Sequence, residues 1–182
     1  MNNVTANILL VDDEPNILKA LARTLKHYSV TTANSGEEAL DLARIHPFDI
    51  VFSDYRMPDM DGIQFLENFM LIQPDAIRII VTGYADLDTA QTAINTLGVF
   101  RFINKPWSNM EIIHAVEKGL ELKWLLLENK QLADQVRQQQ ARLNEQQAIL
   151  KALEKEEPGI TKVNWTEDGA IILDESEIED NL

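Results

Sequence analysis

The stretch "ILLVDDEPN" sets Asp12, Asp13 and Glu14 directly after four apolar residues. Like charges placed together repel, and each costs free energy to desolvate. Three further polar side chains end apolar runs: Asp54 after "IVFS", Thr82 after "IRIIV" and Lys105 after "FIN". Carboxylates at close quarters favour a hard divalent cation, and Mg2+ takes one or two of them together with phosphate oxygens and waters. A carboxylate is also a nucleophile toward phosphorus and gives an aspartyl phosphate. Such a transfer depends on positioning and on neutralising charge at the phosphoryl oxygens. In that chemistry Asp54, alone at the end of its run, is the nucleophile, and Asp12 and Asp13 hold the metal. Lys105, the Thr82 hydroxyl and Mg2+ supply the neutralisation.

Each residue also has an ordinary explanation. Asp12 or Asp13 could cap a helix beginning near Pro15. Lys105 could be a solvated lysine, and Thr82 a β-former. These explanations weaken once the residues are placed on elements. Short apolar runs at 8–11, 30–32, 50–53, 77–82 and 100–103 alternate with helix-like segments near 16–27, 36–45, 61–71 and 87–96. In the first helical segment Ile17, Leu18, Leu21 and Leu25 recur with a helical period. Ser35 and Glu38 stand as in a capping box. Near-continuous apolar strands separated by helices imply a parallel sheet covered on both faces, a doubly wound α/β fold with five strands. Such sheets bind ligands outside the carboxyl ends of their strands, and Asp12, Asp13, Asp54, Thr82 and Lys105 all fall there.

The composition removes several classes of function. The 182 residues suffice for one domain with an extension. A formal net charge of −14 argues against a phosphate-backbone binder, so no direct nucleic-acid contact is expected. With no cysteine there is no disulfide, thiol nucleophile or thiolate metal site. No signal peptide or membrane-length apolar run is visible, and a soluble cytoplasmic protein is expected. The histidines at 27, 46 and 114 lack metal-ligand spacing.

After Pro106 the character changes. Residues 109–154 contain no proline and a single glycine, Gly119, and predict one long helix of roughly 65–70 Å. Its first part carries Ile112, Ile113, Val116 and Leu120 and can pack on the sheet. Further on, a heptad register places Leu122, Asn129, Val136, Leu143 and Leu150 at a, and Leu125, Leu132, Gln139, Gln146 and Leu153 at d. A polar Asn at an a position can specify register and a two-stranded state. A long solvated helix, or one folded back on its domain, is the alternative to a parallel homodimeric coiled coil through 122–153. Pro158-Gly159 ends the helix, and residues 156–182 carry nine acidic residues against one lysine. Within this tail "KVNW" and "AIILD" flank the turn signal Asp168-Gly169, so a β-hairpin on a partner or a mobile acidic tail are both open.

The motifs "LLVDDEPN", "VFSDYRMPDMDG", "IIVTGYAD" and "FINKPW" resemble a response-regulator receiver domain of two-component signalling, flavodoxin-like in fold. The resemblance covers roughly residues 6–122. It implies that Asp54 accepts a phosphoryl group from a sensor histidine kinase or a phosphotransfer protein. It implies Mg2+ bound by the Asp13 and Asp54 side chains, the Arg56 backbone carbonyl and, largely through water, Asp12. Lys105 would pair with the phosphoryl group and Thr82 would be the switch hydroxyl. Phe102 would stand at the family's rotating aromatic, where a plain core aromatic is the alternative, and Lys105-Pro106 at its usual cis peptide. Met57-Pro58 and Gly62 match the loop after the acceptor, where a tight turn is expected. "TGY" with "KPW" resembles receivers joined to cyclic-di-GMP phosphodiesterase or NtrC-type outputs. No Gly-rich ATPase loop, His-Asp hydrolase signature or basic recognition helix accompanies them here.

The expected organisation is a receiver at 1–122, a long helix at 109–155 and an acidic tail at 156–182. The expected function is a phosphorylation-controlled switch, not a separate enzyme, whose output is contact with a downstream protein of unknown identity. Rivals are a phosphorylation-independent dimeric scaffold, the receiver portion of a larger regulator, and a haloacid-dehalogenase-like phosphatase. The last would need a general acid two residues after Asp54, where Arg56 stands.

Overall fold

The computed structural model describes residues 5–83, 97–156 and 158. Its strands are β1 (Asn7–Val11), β2 (Ser29–Ala33), β3 (Ile50–Asp54), β4 (Ile77–Thr82) and β5 (Arg101–Asn104). Its helices are α1 (Pro15–Thr24), α2 (Gly36–Ile45), α3 (Gly62–Ile72) and α4 (Asn109–Glu156). The strands form one five-stranded parallel sheet in the order β2-β1-β3-β4-β5. The expected segment 87–96 and the expected hairpin and acidic tail lie outside the described residues.

Strand alternation divides the core between the two faces. Leu9, Val11, Val51 and Ile80 pack with Ala39 and Leu40 of α2 and with Phe65, Leu66 and Phe69 of α3. Ile8, Leu10, Ile50, Phe52, Ile79 and Val81 pack with Leu18 and Leu21 of α1 and with Ile112, Ala115 and Val116 of α4. Each fully buried side chain of this size contributes about 1.5–3 kcal/mol. Because both faces are covered, β3 is buried along its whole length, which is why its sequence reads as an unbroken apolar run before Ser53.

Local chemistry sets the helix ends. Pro15 opens α1, and the N-cap is Glu14 with no side-chain cap bond. Asp12 instead accepts the Glu14 N–H at 2.8 Å, so it shapes the turn ahead of the helix without being the N-cap. Ser35 caps α2 by accepting the Glu38 N–H, while the Glu38 carboxylate accepts the Asn34 N–H, one residue before the cap. Asp61 and Gln64 form the reciprocal capping box that starts α3. α1 ends at Thr24, three residues before the periodicity predicted, where the Leu25 N–H closes on the Leu21 carbonyl.

α4 is a single helix of 48 residues. Gly119 lets it lie close to the strands, since a β-carbon there would stand 3.1 Å from Ile77 Cγ2. Lys123 Nζ donates to Asp49 Oδ1 at 2.7 Å, and Asp49 Oδ2 accepts the Asn7 N–H at 2.7 Å, so the packed part of the helix reaches past residue 122. Leu122, the first expected seam residue, packs against the core. From Leu125 onward the apolar seam residues are exposed, with Val136 at 63%. No helix among the described residues is long and apolar enough to cross a membrane.

Candidate functional site

The strand order reverses between β2 and β3 around β1, which opens a crevice at the carboxyl ends of β1 and β3. Asp12 follows β1 and is 1% exposed, while Asp54 closes β3 at 7%. Thr82 closes β4 at 1% exposure, and Lys105 follows β5 with its N–H on the Thr82 carbonyl at 2.7 Å. Four residues spread over 93 positions of sequence are thereby brought to one end of the sheet.

Lys105 Nζ lies 2.9 Å from Asp12 Oδ2 and 3.0 Å from Asp54 Oδ1. Glu14 stands 3.9 Å from the same ammonium, a neighbour that the sequence reading passed over. Asp13 is exposed, yet its carboxylate can approach those of Asp12 and Asp54 with all three donor oxygens within 4.8 Å of one another. A hollow of about 390 Å³ opens beside them, lined by Asp13, Glu14, Asp54, Arg56, Thr82, Gly83 and Lys105. A larger hollow of about 480 Å³ lies at the opposite ends of the strands. Its Gln73 is held by the Ala43 and His46 carbonyls and the Phe48 N–H, and its Lys123 by Asp49. The chemistry therefore belongs to the smaller hollow.

Burial pushes the Asp54 carboxyl above its ordinary value, against the opposing hydrogen bond and charge of Lys105, and the nearby negative charge of Asp12 adds to the rise. Burial works the other way on the Lys105 ammonium, but its bonds to Asp12 and Asp54 and their charges outweigh it and hold the amine protonated above its ordinary range. The resting site is thus a half-buried cation between two buried carboxylates. Its donor set of hard oxygens suits a cation of the Mg2+ type. Asp12, Asp13 and Asp54 could hold one, and the hollow leaves room for an anion beside it.

Phe102 does not line the hollow. It is half-buried on β5 and packs against the core cluster that also holds α2 and α3. Lys105-Pro106 is a cis peptide bond. Two features had weak signals in sequence. Gly62 sits at the first position of α3 with its N–H on the Tyr55 carbonyl at 2.9 Å. A β-carbon there would collide with the backbone of Asp54 and Tyr55, so the glycine answers a close approach, while the loop before it turns tightly at Asp59, where the Met60 N–H donates to the Pro58 carbonyl at 2.7 Å. Asn104 carries a buried Oδ1 without a hydrogen-bond partner among the described residues, a fact no pattern in the chain announces.

The model of the response regulator receiver domain family matches residues 8–117. The hydrogenase transcriptional regulatory protein HoxA of Cupriavidus necator is 33% identical over 126 residues, covering 69% of this chain and 26% of that protein. The transcriptional regulatory protein GlrR of Escherichia coli is 38% identical over 123 residues, covering 66% of this chain and 28% of that protein. A solved response regulator receiver domain protein from Clostridium thermocellum superposes with a TM-score of 0.62 at 33% identity, over 66% of this chain and 98% of that one. The chain thus spans about a quarter of the length of the curated relatives it matches.

Proposed function

This chain belongs to the response regulator receiver domain family, and from that premise we propose that Asp54 is the acceptor of a phosphoryl group delivered by a histidine kinase or a phosphotransfer protein. The observation that carries the proposal is the half-buried Lys105 ammonium held between the buried carboxylates of Asp12 and Asp54 beside an open hollow. An Asp54 carboxylate oxygen would form the new O–P bond as the N–P bond of a phosphohistidine breaks, leaving its electron pair on the imidazole nitrogen. Receivers of this family bind Mg2+ at an acidic pocket, which Asp12, Asp13, Asp54 and the Arg56 carbonyl would form here. The cation, when bound, neutralises charge on the phosphoryl oxygens. Lys105 contributes the second positive charge and Thr82 a hydroxyl donor at the wall of the hollow.

The output we propose is protein contact through paired α4 helices. Phosphorylation would favour one of two arrangements around Thr82 and Phe102, because phosphoryl oxygens gain contacts with Thr82 and Lys105 in only one of them. The exposed heptad residues Leu125, Leu132, Val136, Leu143, Leu150 and Leu153 support a second copy of this chain as the partner of the helix. In this reading residues 1–122 are the receiver, 109–155 carry the coil and 156–182 are an acidic appendage, in a cytoplasmic setting typical of the family. A second reading is favoured by the coverage of the relatives: the chain is the receiver portion of a longer transcriptional regulator.

Intact mass after incubation with Mg2+ and acetyl phosphate tests the acceptor. The wild type is expected to gain one phosphoryl group and Asp54→Asn none. No gain, or an equal gain in both, overturns the assignment. Cross-linking of Leu132→Cys tests the coil, and equal yields with and without a phosphoryl mimic would separate dimerisation from the switch.

A further inference from the structure

Glu14 is fixed through its main chain. Its N–H donates to Asp12 Oδ1 at 2.8 Å, and its carbonyl accepts the Ile17 N–H at 3.0 Å. Pro15 follows and restricts Glu14 to the extended backbone it adopts, with φ −95° and ψ 106°. Glu14 is the N-cap of α1, yet its side chain makes no cap bond. The carboxylate reaches instead to the wall of the hollow, where Oε1 lies 3.9 Å from Lys105 Nζ.

The second oxygen of Asp12, Oδ2, accepts from Lys105 Nζ at 2.9 Å. One buried carboxylate thus fixes both the Glu14 main chain and the Lys105 ammonium. Three acids surround that ammonium: Asp12 and Asp54 at 2.9 and 3.0 Å, and Glu14 farther out. Asp12 and Asp54 belong with Asp13 to the set whose oxygens converge within 4.8 Å, and Glu14 stands outside it. A divalent cation on that set and the Lys105 ammonium would share the same carboxylates and repel each other. Among the described residues, Glu14 is the acid paired with the ammonium that would not be shared. An exposed ion pair contributes little on its own, and the Glu14 side chain is 65% exposed. Its contribution grows where the closer carboxylates are engaged elsewhere.

We propose that Glu14 is a positioning residue of the metal site that acts through Lys105. Its carboxylate balances the ammonium when Asp12 and Asp54 are shared with a divalent cation, and so eases the competition between the two positive charges. The inference rests on the reading of Asp12, Asp13 and Asp54 as metal ligands. It gives the exposed acid after the Asp12-Asp13 pair a role in metal affinity without making it a ligand.

The test is titration of the full chain with Mn2+, a hard cation of similar ligand preference, read as the paramagnetic resonance signal of the free ion. Four proteins are compared: wild type, Glu14→Gln, Lys105→Met and the double variant. Glu14→Gln is expected to bind Mn2+ about threefold more weakly than wild type, the size of one exposed ion pair. In the Lys105→Met background the same substitution is expected to change nothing, since the ammonium it balances is gone. Lys105→Gln, which keeps an N–H donor for Asp12 and Asp54, provides a second neutral background should the methionine perturb folding. Unchanged affinity in Glu14→Gln overturns the inference. An equal loss with and without the Lys105 ammonium also overturns it, because Glu14 would then act as a general negative charge, and both results leave the metal ligands standing. No binding by the wild type, or equal binding by Asp13→Asn, overturns the ligand reading and the inference together.

Discussion

The β-carbon that Gly62 lacks would lie 2.0 Å from the carbonyl oxygen of Asp54 and 3.0 Å from the Cα of Tyr55. The first turn of α3 is thus pressed against the backbone that presents the candidate acceptor, and no rotamer can relieve a contact between a β-carbon and a main chain. Gly62→Ala is expected to push the end of β3 out of place and to destabilise the fold by about 3 kcal/mol, the upper part of the range for overpacking. Urea unfolding measures the loss. Acetyl phosphate labelling should fall with it even at temperatures where the variant stays folded, because Asp54 moves relative to Lys105.

Lys105 is the only positive group that the described residues place between Asp12 and Asp54. Lys105→Met leaves two buried carboxylates facing each other, and in the absence of divalent cations this should cost about 3 kcal/mol, as breaking one side of a buried ion pair does. Mg2+ should restore part of that loss, because the ammonium and the cation neutralise the same oxygens. The variant is therefore expected to show a larger Mg2+-induced rise in Tm than wild type, together with lost phosphoryl uptake. An equal rise in both proteins would mean that Lys105 and the metal do not share ligands.

The raised Asp54 carboxyl has a consequence with a definite sign. Its folded value lies above the ordinary 3.8, so between the two the folded state binds more protons than the unfolded one. Stability then falls as pH rises through that window, and the full penalty is present above the folded value. Asp54→Asn removes it. In a chelator, the variant should be more stable than wild type at neutral pH, and the difference should vanish below the ordinary carboxylate range. Urea unfolding at a series of pH values reads this directly. A difference that instead grows toward acid would reverse the sign and point to Asp54 as stabilised in its charged form.

Much of this was legible before any coordinates because parallel strands bury both faces. Five apolar runs, four of them ending in Asp12, Asp54, Thr82 and Lys105, pointed to the fold and to the candidate site, and the observed strands match those runs to within a residue or two. What remained illegible depends on approach between distant segments. Gly62 looks like a turn glycine until its distance to Asp54 is measured. Arg78 breaks the alternation of β4, and only the structure shows its guanidinium satisfying the carbonyls of Pro74, Ala76 and Leu97. Asp49 and Lys123 are separated by 74 positions, and neither has a local partner that would reveal their pairing. Helix ends shifted for a similar reason: Leu25 continues the apolar period of α1 but is buried after the helix has closed.

Val136 is 63% exposed, and Leu143 and Leu150 are each about half exposed at successive a positions. A helix this long gains little stability from its own propensity and needs its apolar stripe covered. Lysine at both Leu143 and Leu150 should convert a dimer to a monomer in sedimentation equilibrium and leave unfolding of the unit 1–128 unchanged, since neither side chain contributes to its core. Asn129→Leu tests register separately. An Asn at a lowers coiled-coil stability while selecting one register and a two-stranded state, so its replacement should raise the Tm of the helical transition and admit higher oligomers. If the wild type is monomeric at micromolar concentration and Asn129→Leu changes neither property, the stripe is covered by a different chain. The paired-helix output then gives way to docking on a partner with a matching heptad.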